Sequence, residues 1–195
     1  MKLLSIILIL FNLQSWVKAD DIRDFQIEGM SVGDSLLEYM TASEIENSKR
    51  NYFKNKRKYY VVAKFDGLEN YQVVDIYLKS GDSKYIIRTL GGKIEYKNKD
   101  KCLSKKKEIS VFMEGLFVNI KKSEAVAPHE HDKSKKSKVY ASIFRFGKGK
   151  DNDPHVRVEC SFFTKKFKKK TGFVDTLNVV AMTTEILNWV YSGYK

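Results

Sequence analysis

Cysteine and proline are scarce in this sequence, with two of each among 195 residues. So few cysteines exclude a small scaffold held together by several disulfides, and so few prolines exclude a proline-rich or collagen-like chain. No apolar run reaches the roughly 20 residues that a membrane-spanning helix needs. The sequence also lacks a glycine-rich phosphate loop, a nucleophile elbow and an internal repeat. These absences favour a single globular domain without a familiar catalytic motif.

The first nineteen residues have the features of a secretory signal peptide. Lys2 supplies a positive charge, residues 3–13 are mostly apolar, and Val17-Lys18-Ala19 fits a cleavage site. An apolar core of about 7–15 residues with such flanks is typical of export and is too short to cross a bilayer. We therefore expect cleavage after Ala19, a periplasmic or secreted protein, and one domain over residues 20–195.

Lysine supplies most of the charge. Thirty of the 36 basic residues are lysines, and with 24 acidic residues the formal net charge is +12. A basic surface attracts anionic lipid, lipopolysaccharide, nucleic acid or acidic polysaccharide. An AT-rich coding bias would also produce many lysines, which would then only be solvated. Because nucleic acid is the disfavoured anion outside the cytosol, the expected partner is anionic lipid, lipopolysaccharide or another envelope component, and the oligomeric state stays open.

The two cysteines lie in different patterns. Cys102 is near the start of a stretch with helical spacing of apolar residues, and Cys160 shares an alternating run with Val156 and Val158. An even number of cysteines in an oxidising compartment favours a disulfide, here closing a loop of about 58 residues. We predict a disulfide between Cys102 and Cys160 that joins a helix to a strand. Two buried free thiols are the alternative.

Alternating apolar and polar residues predict an antiparallel sheet. Runs rich in Tyr, Val and Ile cover residues 59–65, 71–79, 84–90 and 93–96, and further runs cover 139–146, 154–163 and 173–182. Gly91-Gly92 suits a two-residue hairpin turn, because glycine tolerates a positive φ. The lysine-rich stretches 121–138 and 165–171 are predicted to be a mobile loop and a basic connection.

Capping residues and helical spacing predict four helices. Short helices are expected after Ser31 and Thr41, a long one from about Asp100 to Ile120, and a closing one after Thr183. Together with the strands they indicate a single α+β domain, in which an antiparallel sheet of about six or seven strands carries helices mainly on one face.

Three stretches carry a family resemblance. The sequences FQIEGMSVGDSLLEY (25–39), DKSKKSKVY (132–140) and HVRVEC (155–160) resemble a family of uncharacterised exported proteins of small-genome marine bacteria. The resemblance covers most of the mature chain and implies export and an α+β fold, but no particular activity. Gly29-Met30-Ser31, leading into Asp34 and Leu36, is loosely similar to the opening of small outer-membrane assembly lipoproteins. That similarity implies an envelope location, although the lipid-modified cysteine of those proteins is missing here.

His129-Glu130-His131-Asp132 is the one cluster with metal-ligand residue types. Two imidazoles two residues apart point the same way on an extended chain, and a catalytic zinc site normally has three protein ligands. His155 is the candidate third ligand. The segment resembles the start of the binuclear-metal motif of metallo-β-lactamase-like hydrolases, but the later histidine of that motif is absent. A metal-assisted hydrolase using His129, His131 and His155 is one hypothesis, and a solvated polar loop with no cofactor is the other.

Residues 162–170 interleave aromatic rings with cations. Such a surface can press rings into a lipid headgroup layer while lysines meet phosphate. A strand end followed by a solvated turn is the simpler interpretation. The candidate anion-binding residues are Lys165, Lys166, Lys168, Lys169 and Lys170. As function, the sequence favours a non-enzymatic exported envelope protein with a binding or assembly role that uses this basic surface.

Overall fold

A computed structural model of the chain describes residues 21–50 and 58–193. The predicted signal peptide, residues 1–19, lies outside the described residues. One antiparallel sheet dominates the fold, with strand order β3-β4-β5-β6-β10-β9-β8-β7. Its strands are β3 (Lys49–Arg50), β4 (Tyr59–Lys64), β5 (Val73–Lys79), β6 (Ile87–Glu95), β7 (Ile120–Pro128), β8 (Lys138–Phe146), β9 (His155–Phe162) and β10 (Thr176–Met182).

A two-stranded sheet of β1 (Gln26–Ile27) and β2 (Met30–Ser31) precedes it. Four α-helices and two 3-10 turns complete the described elements: α1 (Ala42–Asn47), α2 (Lys99–Leu116), α3 (Lys165–Thr171), α4 (Thr184–Tyr191), and the turns Ile22–Asp24 and Leu36–Glu38. The predicted α+β class and antiparallel sheet are confirmed. The strand count of six or seven was too low, since the main sheet has eight.

The main core lies on the face of the sheet that α2 covers. Alternate residues of each strand point to this face, as Val74, Ile76 and Leu78 do in β5, and all three are fully buried. Helix α2 packs across β8, β9 and β10, and residues 22–36 cover the same face beside it. The predicted disulfide is confirmed: Cys102 of α2 is bonded to Cys160 of β9, with their Cα atoms 6.1 Å apart.

The opposite face is only partly covered. Helix α4 packs there, where Trp189 and Ile186 bury Tyr59 of β4 in a second, smaller core. The rings of Tyr59 and Trp189 have centroids 4.7 Å apart. Helices therefore lie on both faces, α2 on one and α4 on the other, and the side chains that β7 carries on the second face stay exposed.

The Gly91-Gly92 pair is not a hairpin turn, contrary to the sequence prediction. Both glycines lie inside β6 and are paired with β5 on one side and with β10 on the other. A Cβ atom on Gly92 would meet the ring of Tyr71 at 2.5 Å. Glycine is present here because an aromatic ring lies over the strand, which is a second reason for a strand glycine besides turn formation.

The two lysine-rich stretches predicted to be irregular contain regular structure. Residues 120–128 form β7 at the edge of the sheet, so that the connection to β8 is only residues 129–137, and residues 165–171 form α3. The helix predicted after Ser31 does not form either. Ser31 belongs to β2, and Ser35 caps the 3-10 turn that follows, whereas Thr41 caps α1 as predicted.

Candidate anion-binding site

Most of the residues that the sequence singles out meet at one end of the sheet. There the loop 129–137 between β7 and β8 lies beside α3, which connects β9 to β10. We call residues 129–138 and 163–175 the basic corner. It contains nine lysines against three carboxylates. All five predicted anion-binding lysines belong to it, together with His129 and His131, which the sequence treated as a separate site.

The loop is held in place by a buried carboxylate. Asp132 accepts hydrogen bonds from the hydroxyl groups of Ser134 at 2.7 Å and Ser137 at 2.6 Å, and also from their backbone N–H groups. These bonds lower the pKa of Asp132 far below its usual value. The Ser137 hydroxyl in turn accepts from the N–H of Thr164, which precedes α3. Loop and helix therefore form one unit.

Helix α3 forms because of its ends rather than an apolar stripe. The Thr164 side chain accepts a hydrogen bond from the N–H of Phe167, and Gly172 ends the helix with a φ of 76°. Lysines fill the last turn, where the helix dipole favours cations. Lys168 also pairs with Asp175 at 2.6 Å. The sequence analysis missed this helix because Phe167 is its single apolar residue and seven residues show no period.

A cluster of aromatic rings fills the space between loop and helix. We call His129, His131, Phe163, Phe167 and Phe173 the aromatic cluster. The stacked rings of Phe163 and Phe167 have centroids 5.6 Å apart. The ring of Phe173 is nearly perpendicular to both, with centroid distances of 5.3 and 5.5 Å. The centroid of the His129 ring lies 4.7 Å from that of Phe163 and 5.5 Å from that of His131. The histidines thus pack against phenylalanines.

The aromatic cluster is exposed to solvent at Phe173. Phe173 is 38% exposed and the neighbouring Val174 is 42% exposed. Burial lowers the pKa of His129 below its ordinary value, and the neighbouring His131 lowers it further. His129 is therefore neutral at pH 7, and Phe173 gives the cluster an exposed apolar surface.

Most lysines of the basic corner form no ion pair with a carboxylate in the described part of the chain. Among the described residues, Lys168 is the one lysine of the basic corner with an ion-pair partner within 4.0 Å. A cleft of about 300 Å³ opens between the loop and α3. Its lining includes the ammonium groups of Lys133, Lys166 and Lys170, which suit a phosphate, and also the Asp132 carboxylate, which is already hydrogen-bonded by Ser134 and Ser137.

The three histidines do not form one metal site. His155 begins β9, whereas His129 contacts Phe163 just beyond the end of that strand. Eight residues of extended chain separate His155 from Phe163, which corresponds to about 26 Å. Within residues 21–50 and 58–193, no group of three or more His, Cys, Asp or Glu side chains is placed to hold a metal ion. The ligand set of His129, His131 and His155 therefore does not come together.

His155 is instead a buried residue enclosed by neighbouring parts of the fold. It is 4% exposed, it faces Arg145 across the strand pair, and its Nδ1 donates to the carbonyl of Asp153 at 3.3 Å. Burial lowers its pKa to about 4, with a further contribution from the charge of Arg157. A neutral, enclosed imidazole beside two guanidinium groups is part of the packing of the second face.

A second hollow of about 260 Å³ lies on the second face of the sheet, next to His129. Its floor is made of small side chains, among them Ala125, Ala127 and Ala141. At its margin Arg157 pairs with Glu159 at 3.1 Å. The sequence does not reveal this hollow, because it depends on the pairing of β7 with β8, and residues 121–138 were predicted to be a loop.

No family model, curated protein or solved structure matches this chain. The family resemblances suggested by the sequence therefore stay predictions. None of the helices in the described ranges is both long and apolar enough to cross a membrane. The geometry of the basic corner is the basis for the functional proposal.

Proposed function

We propose that this is an exported, non-enzymatic protein that binds phosphate-bearing lipid headgroups of an anionic envelope surface through its basic corner. The observation that carries the proposal is the exposed Phe173, which packs against Phe167 of the lysine-rich helix α3. A lipid surface offers phosphate to the cations and an apolar layer just beneath it to the ring. A soluble anion would use the lysines but would leave Phe173 without a role.

Charge and burial give the expected strength. Each lysine held near an anionic membrane contributes about 1 kcal/mol, and the attraction falls off within the Debye length of about 8–10 Å at physiological salt. Four lysines of α3 without carboxylate partners would supply about 4 kcal/mol, which is a useful affinity but a reversible one. The cleft gives one headgroup phosphate a place beside the ammonium groups of Lys133, Lys166 and Lys170.

Two further features support export to an envelope compartment. The N-terminal residues have the pattern of a signal peptide. The bond between Cys102 and Cys160 is of a kind that persists in oxidising compartments and is rare in the cytosol. Both agree with a protein that meets lipid headgroups outside the cytoplasm.

The first test is binding to vesicles of phosphatidylglycerol mixed with phosphatidylcholine, measured by co-sedimentation. The variant replaces Lys165, Lys166, Lys169 and Lys170 by Gln and keeps Lys168, because Lys168 pairs with Asp175. We expect binding to weaken at least about a hundredfold, and we expect about 0.5 M salt to abolish binding of the unaltered protein. The matched control carries four Gln replacements at exposed lysines elsewhere: Lys84, Lys97, Lys101 and Lys107.

The second arm tests the apolar contact. Phe173→Ala should weaken vesicle binding about tenfold, because the ring no longer enters the headgroup layer. Phe65→Ala is the matched control, since Phe65 is 55% exposed on the turn after β4 and lies outside the basic corner. The proposal fails if the lysine control set weakens binding as much as the α3 set, or if pure phosphatidylcholine vesicles bind equally well. Displacement by millimolar inorganic phosphate, with Phe173→Ala unaltered in binding, would replace lipid by a soluble phosphate ligand.

A further inference from the structure

The β7 strand is a long open edge. It has nine residues, and within the described ranges its single strand neighbour is β8. All of its side chains except that of Ile120 are exposed, including Val126 at 65%. An edge of this length with unpaired backbone groups is a surface on which another strand can pair.

The backbone hydrogen bonds show which residues of β7 face outward. The N–H of Phe146 donates to the carbonyl of Pro154 at 2.8 Å, so that even-numbered residues of β8 bond toward β9. The N–H of His129 donates to the carbonyl of Ser137 at 2.9 Å, which continues the β7–β8 ladder through odd-numbered residues. The backbone groups of Lys122, Glu124 and Val126 consequently point away from the sheet. Pro128, which has no N–H, lies on this outward side too.

We propose that β7 pairs antiparallel with β7 of a second copy of this chain, centred on Ser123. In this register Lys122 lies opposite Glu124 of the second copy, and Glu124 lies opposite Lys122. Ile120 lies opposite Val126, which covers an apolar side chain that is otherwise exposed. The outward residues form four hydrogen-bonded pairs, so that about eight backbone bonds join the copies.

Charge selects this register over its neighbours. A shift by one residue would set outward backbone groups against inward ones and break the ladder. A shift by two residues along the pair would place either Lys122 opposite itself or Glu124 opposite itself, and like charges directly opposite are destabilising. Centring on Ser123 avoids both contacts and sets Lys121 opposite Ala125, on the other face. The edge sequence is thus complementary to itself.

The pairing does not depend on the proposed lipid binding, because the basic corner begins after β7 ends. In the monomer Lys122 pairs with Glu114 at 2.8 Å and with Glu124 at 3.3 Å, and Glu124 pairs with Lys106 at 2.9 Å. These contacts lie on the side of the sheet that carries α2. They keep both side chains positioned along the edge, so that a second strand meets them already ordered.

Sedimentation equilibrium of the mature protein in low salt tests the proposal. We expect a monomer–dimer equilibrium that Lys122→Glu and Glu124→Lys each weaken about tenfold or more, since each variant places like charges opposite each other twice. Mixing the two variants should restore dimers. In the mixed pair, the two carboxylates at positions 122 and 124 of one chain lie opposite the two ammonium groups at positions 124 and 122 of the other. Lys121→Glu is the matched control and should leave the equilibrium unchanged.

Thermal unfolding of each variant shows that loss of dimer is not loss of fold. A protein that stays monomeric up to about 0.5 mM, a concentration at which even a weak dimer would form, overturns the proposal. So does a mixture of the two variants that remains as monomeric as each variant alone, because any dimer would then not use the Lys122–Glu124 contact. If Lys121→Glu weakens the dimer as much as Lys122→Glu, the chains associate through general charge and not through this register.

Discussion

Single side chains explain where pattern reasoning on this chain went wrong. A pair of glycines between two alternating runs is typical of a tight turn, yet Gly92 lies in mid-strand beneath the ring of Tyr71. A histidine on the hairpin that follows a His-x-His segment suggests a metal ligand, yet His155 is enclosed beside Arg145. In both cases a neighbour distant in sequence decides the role, and no local window contains that neighbour.

Gly92→Ala should destabilise the protein, because a Cβ atom would come within 2.5 Å of the ring of Tyr71. We expect a loss of about 1–3 kcal/mol in the free energy of unfolding, measured by urea titration. Gly91→Ala is the matched control: its Cβ would meet Val180 at an ordinary 3.6 Å, so its effect should be small. Equal losses at the two positions would mean that strand backbone freedom, and not the Tyr71 contact, accounts for the glycines.

His155 should make the stability depend on pH. Its pKa is lowered to about 4 in the fold by burial, and the unfolded chain restores the ordinary value of about 6.5. Between these values the unfolded chain binds more protons, so the stability is complete above about pH 6.5 and decreases as the pH falls toward about 4. From about pH 7.5 to about pH 5.0 the expected loss is about 2 kcal/mol.

Urea unfolding at several pH values checks this expectation. His155→Gln should remove most of the loss over that pH range, whereas His131→Gln should not, because the His131 side chain is 62% exposed. Carboxylates with lowered pKa, such as Glu124 and Glu185, lose their contribution only as the pH falls below their ordinary value of about 4.5. An unchanged pH profile in His155→Gln would contradict the role of His155.

At the scale of elements, periodicity identified those that bury one face and missed those that do not. The strands β4, β5, β8 and β9 direct alternate apolar side chains to the main core and were predicted close to their observed bounds. The edge strand β7 exposes both faces, so its sequence shows no alternation and looks like a loop. Helix α3 is too short to show a helical period and depends on Thr164 and Gly172 at its ends.

The disulfide is the contact between elements that sequence predicted best, and it has a measurable consequence. It joins α2 to β9 across 58 residues, which corresponds to about 4 kcal/mol on the chain-entropy model. Replacing Cys102 and Cys160 together by Ala should lower the free energy of unfolding by about that amount, measured by urea titration. Reduction of the unaltered protein by dithiothreitol should give a similar loss. A change below about 1 kcal/mol in both experiments would show that packing alone holds α2 on the sheet.

At the scale of the whole molecule, the fold turns scattered charge into a local surface. The chain has an excess of lysine throughout. The topology brings residues 129–138 and 163–175 together, because the neighbouring strands β7, β8, β9 and β10 begin or end at the same end of the sheet. In the proposed dimer the two basic corners would lie at opposite ends of the shared edge, about 40 Å apart along the strands. Each corner would then be free to meet its own surface.

The sequence by itself determined the α+β class, the antiparallel pairing, the capping of α1 and the partner of each cysteine. These follow from local periodicity, capping chemistry and a count of two thiols, all of which are written in neighbouring residues or in composition. Only the tertiary structure decided that His129 and His131 join Phe163, Phe167 and Phe173, that His155 is enclosed far away, and that β7 is an open edge. The physical reason is that strand order sets which distant residues become neighbours, and strand order leaves no period in the chain.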